Sequence, residues 1–377
     1  MNAQLRIALI ALASWLLVGC DEGPVPAGES DFAILALAAE DYQQASRGTE
    51  LSFPRDHGPH PGYRIEWWYV TANLEDQSGQ PYGAQWTLFR TATQAPGTIA
   101  PTNAWNSGQV FMAHFALTWP GGHRVFQRYA RGGDHKGESR AGASGQPFAA
   151  WLDDWTLRST GDGWLPLEVT ARQDDMAMRL QMNAVGPLVL QGENGFSQKN
   201  PEGGGSHYYS QPFLQARGEL VIGGKEVAVS GQAWLDREWS SQFLQPDQSG
   251  WDWFALHLES GEKLMLFRLR HRTRGPAGAY LHAVLIAPDG ETRSVPSSDI
   301  RLQVVRTVNV AGRSLPLHWR VELPTLQRQL EIEALQPGQW MDVDFPYWEG
   351  AVTVSGEGPA NRGRGYMELT GYPVTEK

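Results

Sequence analysis

From residue 51 to the C-terminus, apolar and polar positions alternate in short runs that end at Gly, Pro, Asn or Asp. Alternation with period two marks half-buried strands, and the turn residues mark where each strand stops. The pattern predicts strands over 65–70, 85–91, 109–119, 124–129, 164–171, 176–181 and 188–191. The second half adds 251–258, 263–269, 279–287, 301–308, 317–323, 329–334 and 351–355. Sustained helical periodicity is absent after residue 50, so no βαβ alternation is expected. Many short strands without crossover helices point to sandwiches or up-and-down barrels.

The pattern also repeats. Trp67-Trp68-Tyr69 leads through Ser78-Gly79 to Leu88-Phe89-Arg90, and Trp251-Asp252-Trp253-Phe254 leads through Ser260-Gly261 to Leu266-Phe267-Arg268. Further on, Val227-Ala228-Val229-Ser230-Gly231 recurs as Val352-Thr353-Val354-Ser355-Gly356. Two matches in the same order predict two similar β domains. Each opens with a Trp hairpin, so that the strands bearing Trp68 and Trp253 should superpose at the start of their barrels, and each closes with the valine strand. The boundary falls near 233–250, giving a first domain over 51–238 and a second over 239–377. The longer first half is expected to carry insertions around 94–108 and 132–148.

Ahead of this body the chain reads differently. Arg6 precedes an apolar stretch, 7–18, too short to span a bilayer and suited to a signal-peptide core. It runs into Leu17-Val18-Gly19-Cys20, which resembles a bacterial lipobox. Residues 1–19 are then a lipoprotein signal peptide, and Cys20, once acylated, becomes the mature N-terminus. Several acyl chains together make a stable anchor. The expected location is the periplasmic side of a Gram-negative membrane. Asp21 resembles the signal for inner-membrane retention, with the outer membrane as the alternative. Residues 21–30 read as a tether, and 31–45 as one short helix with Ser30 as its N-cap and Gly48 as its stop.

Composition narrows the class. The 377 residues carry a net charge of −10, which argues against nucleic-acid binding, and 16 tryptophans, which suit an all-β chain of short strands. Cys20 is the single cysteine, so an intrachain disulfide and cysteine-rich zinc sites are excluded. His57-Gly58-Pro59-His60 has a metal-like look, but Gly58 and Pro59 break any regular face, and no metal is expected there. Nucleophile-elbow, dinucleotide and phosphate-loop motifs are absent, and no cofactor is implied.

Three constellations could carry chemistry. In Ile65-Glu66-Trp67-Trp68-Tyr69, strand alternation puts Glu66 with Trp68 on one face and Trp67 with Tyr69 on the other. A buried Glu66 needs a partner, which Arg90 or Arg64 could supply; a structural salt bridge is the competing reading. In His207-Tyr208-Tyr209, His207 and Tyr209 share a face. In Trp234-Leu235-Asp236-Arg237-Glu238-Trp239, Trp234, Asp236 and Glu238 share a face. If the rings of Trp234 and Trp239 enclose Asp236, desolvation raises its pKa and prepares a general acid. The competing reading is a corner ion pair of Asp236 with Arg237. His114, in Phe111-Met112-Ala113-His114-Phe115, reads first as a satisfied core histidine.

Phe53-Pro54-Arg55-Asp56-His57-Gly58, Glu66-Trp67-Trp68-Tyr69, Ala113-His114-Phe115-Ala116-Leu117 and Trp234-Leu235-Asp236-Arg237-Glu238-Trp239 together resemble the AttH/CrtC family. That family holds AttH-like secreted proteins and carotenoid 1,2-hydratases (hydroxyneurosporene synthases). The resemblance covers residues 51–375 and implies two tandem lipocalin-like β-barrels in an all-β chain, preceded by the short helix. In the hydratases it implies a histidine–aromatic pair and an aromatic–aspartate pair around the reacting double bond. Here these are His207 with Tyr209 and Trp234 with Asp236. Asp236 would protonate an isolated C=C bond, aromatic faces would stabilise the cation, and water would add. Glu66, Trp67, Trp68, Tyr69, His114 and Trp239 fall on the same motifs as candidates for binding the ligand. The implied ligand is apolar and isoprenoid- or lipid-like. A hydro-lyase without a cofactor and a non-catalytic carrier both fit, and the resemblance implies an ABC-transporter permease as a partner.

Overall fold

The computed structural model describes residues 41–95, 108–132 and 139–375. Cys20, the expected signal peptide and tether, and positions 31–40 of the expected helix lie outside the described residues. Residues 41–45, the part of that helix that is described, are turn and coil.

The first sheet holds β1 (Ile65–Glu75), β2 (Pro81–Ala92), β3 (Gln109–Trp119), β4 (Gly122–Arg131), β5 (Ala141–Gly145), β6 (Phe148–Leu152), β7 (Trp155–Ser159), β8 (Leu167–Gln173) and β9 (Met176–Ala184). It continues with two short strands, β10 (Val189–Leu190) and β11 (Phe196–Gln198), and a long hairpin, β12 (Gly205–Ile222) and β13 (Lys225–Ser240). The second sheet holds β14 (Gln248–Leu258), β15 (Lys263–His271), β16 (Gly275–Ile286), β17 (Thr292–Val295), β18 (Arg301–Val310), β19 (Arg313–Leu323) and β20 (Arg328–Ala334). Its last strands are β21 (Trp340–Met341), β22 (Tyr347–Gly356) and β23 (Gly363–Leu369). The orders are β4-β3-β2-β1-β13-β12-β9-β8-β7-β6-β5 and β17-β16-β15-β14-β23-β22-β20-β19-β18. Antiparallel hairpins and the right-handed twist curl each sheet into a barrel-like domain, so the chain is all-β with two lipocalin-like barrels in tandem. Side chains brace the first barrel where its end strands approach. Arg128 of β4 lies 4.3 Å over the Trp155 ring and donates to Arg172 O.

The two halves match as β12-β13-β1-β2-β3-β4 against β22-β23-β14-β15-β16-β17. The register refines the match between the halves and corrects it in one place. Trp67 stands opposite Phe89, and Trp253 opposite Phe267. Within the matching strands β1 and β14, which bear Trp68 and Trp253, the equivalent of Trp253 is therefore Trp67. The shared element is an acid–arginine pair one residue earlier, Glu66 with Arg90 and Asp252 with Arg268, with both acids buried on the inner face. The valine strands do not correspond. Gly231 sits on β13, paired directly to the Trp strand β1, whereas Val352 to Gly356 sit on β22, one strand removed from β14. Buried alternating valines suit any strand of a curled sheet, so the motif marks a strand type rather than a place.

Alternation sorts the side chains into three apolar layers. Trp68, Val70, Ala72 and Leu74 of β1 fill the first barrel with Tyr209, Leu235 and Trp239. Phe254, Leu256 and Leu258 of β14 fill the second with Trp319 and Trp348. The intervening residues, Tyr69, Tyr208, Trp234, Trp253 and Phe267 among them, form a third layer where the outer faces of the barrels meet.

Candidate active site

The long hairpin β12–β13 places the central carboxyl. Its register sets Tyr208 opposite Glu238 and Ser210 opposite Asp236, and directly opposed residues of an antiparallel pair share a face. That face looks away from the first barrel's interior, toward the second barrel. There the two barrels enclose a cavity of about 450 Å³, bordered by Asp236, Glu238, Trp67, Tyr69, Trp253 and Glu368 among others. The Asp236 carboxylate accepts hydrogen bonds from Trp234 Nε1 (2.7 Å), Tyr208 OH (2.8 Å) and Ser210 Oγ. It has no ion-pair partner among the described residues. Burial outweighs the three donors, and the Glu238 carboxylate adds to it, so the Asp236 pKa is pushed up to about 7.

Glu238 is answered by the Lys199 ammonium at 2.8 Å, which lies 4.4 Å over the Phe267 ring. The second barrel supplies the facing wall. Trp253 Nε1 reaches Tyr208 OH at 3.4 Å, and Trp253 meets the Tyr69 ring edge-on at 5.4 Å. Tyr69 donates its hydroxyl across the junction to Glu349 Oε1 at 2.5 Å. Glu368 borders the cavity and is pushed up to about 7, chiefly by burial, which outweighs a hydrogen bond from Trp251, and further by Glu238 and Asp236. His114 also borders the cavity, shares a 2.9 Å hydrogen bond with Tyr347 and is held neutral by burial, its pKa down to about 3.

Not every expected site residue comes together. Trp234 and Asp236 share the cavity face, as do Trp67 and Tyr69. His207 and Tyr209 do not: register puts them opposite Trp239 and Arg237, on the inner face of the first barrel. The expectation that His207, Tyr209, Trp234 and Asp236 line one cavity is thereby corrected. Alternation separates the two pairs by the thickness of the sheet, and Ser210 and Tyr208 take the places next to Asp236. For the same reason Trp239 does not enclose Asp236; its ring stacks on His60 at 3.9 Å.

The inner face holds a network of its own. Glu66, fully buried, is ion-paired to both Arg90 and Arg237, which hold its carboxyl well below the usual range against its burial. Arg237 is thus the partner of Glu66 and not of Asp236. Its guanidinium lies 3.9 Å over Trp68. His57 is hydrogen-bonded to Tyr209 (2.7 Å) and stacked on Trp164 (3.6 Å), while His60 contacts Glu66 at 3.2 Å. His207 has no hydrogen-bond partner on either ring nitrogen among the described residues, and burial takes its pKa down to about 4.

Tyr208, Ser210, Lys199, Glu349 and Glu368 were not singled out by sequence, and Trp253 was read only as part of the Trp hairpin. Tyr208 lay between two residues that were, and the strand parity of Asp236 against its partner strand was the missing information. As a whole the cavity offers a proton donor near neutrality beside aromatic faces that can shelter a positive charge.

The AttH-like family model matches residues 44–372. An AttH protein from Nitrosomonas europaea is 37% identical, with 88% of this chain and 99% of that one covered and a TM-score of 0.75. Kievitone hydratase from Nectria haematococca is 15% identical, covering 87% of this chain and 95% of its own, with a TM-score of 0.63. CghA with Sch210972 is also 15% identical, covering 89% and 96%, with a TM-score of 0.53. The last two likenesses are of fold. No curated protein matches.

Proposed function

The chain belongs to the AttH-like family, and from that premise we propose that it binds an apolar, isoprenoid- or lipid-like molecule between its two barrels and protonates it from Asp236. One observation carries the reading: a carboxyl without an ion-pair partner among the described residues stays protonated to about pH 7 in an aromatic-walled cavity. The name of one structural neighbour, kievitone hydratase, supports addition of water as the reaction.

The Asp236 O–H proton passes to one carbon of a C=C bond, the π pair forms the new C–H bond, and Asp236 becomes a carboxylate. Its three hydrogen-bond donors then hold the new anion. The other carbon carries the positive charge, beside the rings of Trp67, Tyr69 and Trp253. Water adds its oxygen there and gives up a proton, which restores Asp236, so the net change is addition of water. An acylated Cys20 would keep the protein on the periplasmic side of a membrane, close to a supply of apolar molecules.

The test is to extract the purified protein with organic solvent, identify the released molecule by mass spectrometry, and return it to the protein in D₂O. The wild type should incorporate deuterium at carbon, and Asp236→Asn should bind the molecule without turning it over. A variant that turns over like the wild type removes Asp236 from the chemistry. A ligand that returns unchanged from the wild type makes the protein a carrier.

A further inference from the structure

A second polar group lies in the junction layer, outside the Asp236 cavity. Lys263 of β15, His257 of β14 and Arg364 of β23 stand opposite one another in the ladders, Lys263 to His257 and His257 to Arg364. Directly opposed residues share a face, with Cβ atoms roughly 5 Å apart. That face is the one turned to the first barrel, because Met265, Ala255 and Tyr366, each two positions along its strand, belong to the third apolar layer. Three neighbouring strands therefore carry a row of three basic side chains.

The groups facing this row leave most of it unanswered. From the first barrel, Phe213 of β12 has its ring 5.2 Å from the Lys263 ammonium, and Trp234 of β13 meets the His257 ring edge-on at 5.8 Å. The acid that pairs with the row is Glu75 of β1, which holds Arg364 at 2.5 Å on a partly exposed rim. Lys263 and His257 are 4% and 3% exposed. Neither the Lys263 ammonium nor His257 Nδ1 has a hydrogen-bond or ion-pair partner among the described residues. Burial takes the Lys263 pKa down to about 8, which leaves the ammonium as the main form at pH 7. His257 is held neutral by burial first and then by Lys263 and Arg364, and a neutral imidazole keeps one N–H to donate. A buried ammonium without a counter-ion is costly, and an anion beside it offsets that cost.

We propose that Lys263 and His257 form a binding site for an oxyanion of phosphate type, with Lys263 as the point charge, His257 as the N–H donor and Arg364 adding positive charge at the rim. Charge-assisted hydrogen bonds from an ammonium and a ring N–H to separate oxygens are what such an anion needs. The site goes beyond the reading of the cavity and needs no reaction at Asp236.

Calorimetry on the intact chain at fixed ionic strength tests it, with inorganic phosphate at pH 7 and sulfate at pH 8 as probes. Each should bind saturably, and chloride should not. Sulfate carries no proton at pH 8, so the protons taken up as Lys263 gains its partner should make the heat differ between buffers of unlike ionisation enthalpy. Lys263→Met should abolish binding and His257→Gln should weaken it severalfold. Phosphate should raise the melting temperature of the wild type and not of Lys263→Met. In phosphate-free buffer Lys263→Met should melt no lower than the wild type, because it removes an unanswered buried charge; this also reports that the variant is folded. Decyl phosphate separates the sources of the anion: binding tighter than inorganic phosphate and lost in Lys263→Met makes it the headgroup of an apolar molecule, and equal binding makes it a free ion. Absence of saturable binding to the wild type, or undiminished binding to Lys263→Met, overturns the inference. So does a Lys263→Met protein that melts well below the wild type without phosphate, since the ammonium would then already have a partner.

Discussion

Asp236 shows how burial and hydrogen bonding compete at a single carboxyl. Three donors favour the anion, but loss of solvent and the neighbouring Glu238 carboxylate favour the acid, and the acid prevails up to about pH 7. This has a thermodynamic consequence. In the unfolded chain Asp236 ionises near 3.8, whereas the folded chain keeps its proton to about 7. The stability it contributes is whole below about pH 4, is lost progressively as pH rises to about 7, and changes no further above that. Three units at about 1.4 kcal/mol each bound the loss at about 4 kcal/mol. Asp236→Asn cannot ionise, so denaturant titrations at pH 4.5 and 8 should show the variant gaining on the wild type by up to that amount. Parallel shifts of the two proteins with pH would refute the buried acid. Asp236 itself was legible in sequence as a carboxyl two residues from a tryptophan. Its neighbours were not, because the pairing partner of a strand, and hence which of His207, Tyr208, Tyr209 and Ser210 faces it, is set by tertiary register.

At the scale of elements, the strands that sequence read well are those with one wet face or a clear turn at each end, such as β3, β15 and β20. The hairpin β12–β13 was read only in pieces, as the valine strand and the site motifs, and neither its extent nor its register was legible. Residues 233–240 of β13 are buried on both faces, one in the first barrel and one at the junction, so apolar and polar residues mix without alternation. Charged residues enter such a strand only where partners wait: Arg237 for Glu66 inside, Asp236 for Tyr208 and Ser210 outside. The Trp hairpins were legible as a repeat, but their one-residue offset was not. The acid–arginine pairs that fix it become visible only in the ladder. Between elements, the Tyr69 hydroxyl of β1 reaches Glu349 of β22 across the junction. Tyr69→Phe removes that donor and leaves Glu349 with no hydrogen bond that the wild type makes through Tyr69. A loss of about 1–3 kcal/mol is expected in thermal unfolding, with the sheets themselves intact by circular dichroism. An unchanged melting temperature would mean that the junction does not depend on this bond.

The whole molecule is two barrels whose inner faces are filled and whose outer faces meet on a third layer, with the cavity in that layer. A lipocalin fold alone suggests a ligand inside a barrel. Here the first barrel's interior is occupied by Trp68, Trp155 and Trp239 and by the Glu66 network, so the junction is the place left open. The sequence pointed to paired barrels through its repeat but not to their junction as the site, since that depends on which faces are brought together. At this scale the proposed anchor also has its test: Cys20→Ser should leave the protein soluble or as an unprocessed precursor. Recovery of that variant, processed at residue 20, in the membrane fraction would refute lipidation. The central claim is that the assembled barrels keep Asp236 protonated at the aromatic-walled cavity, and infrared difference spectroscopy of wild type minus Asp236→Asn measures it directly. The account predicts a carbonyl band of a protonated carboxyl at pH 5.5 that disappears with a midpoint near pH 7. Absence of that band at pH 5.5, with an ionised carboxylate in its place, would contradict it.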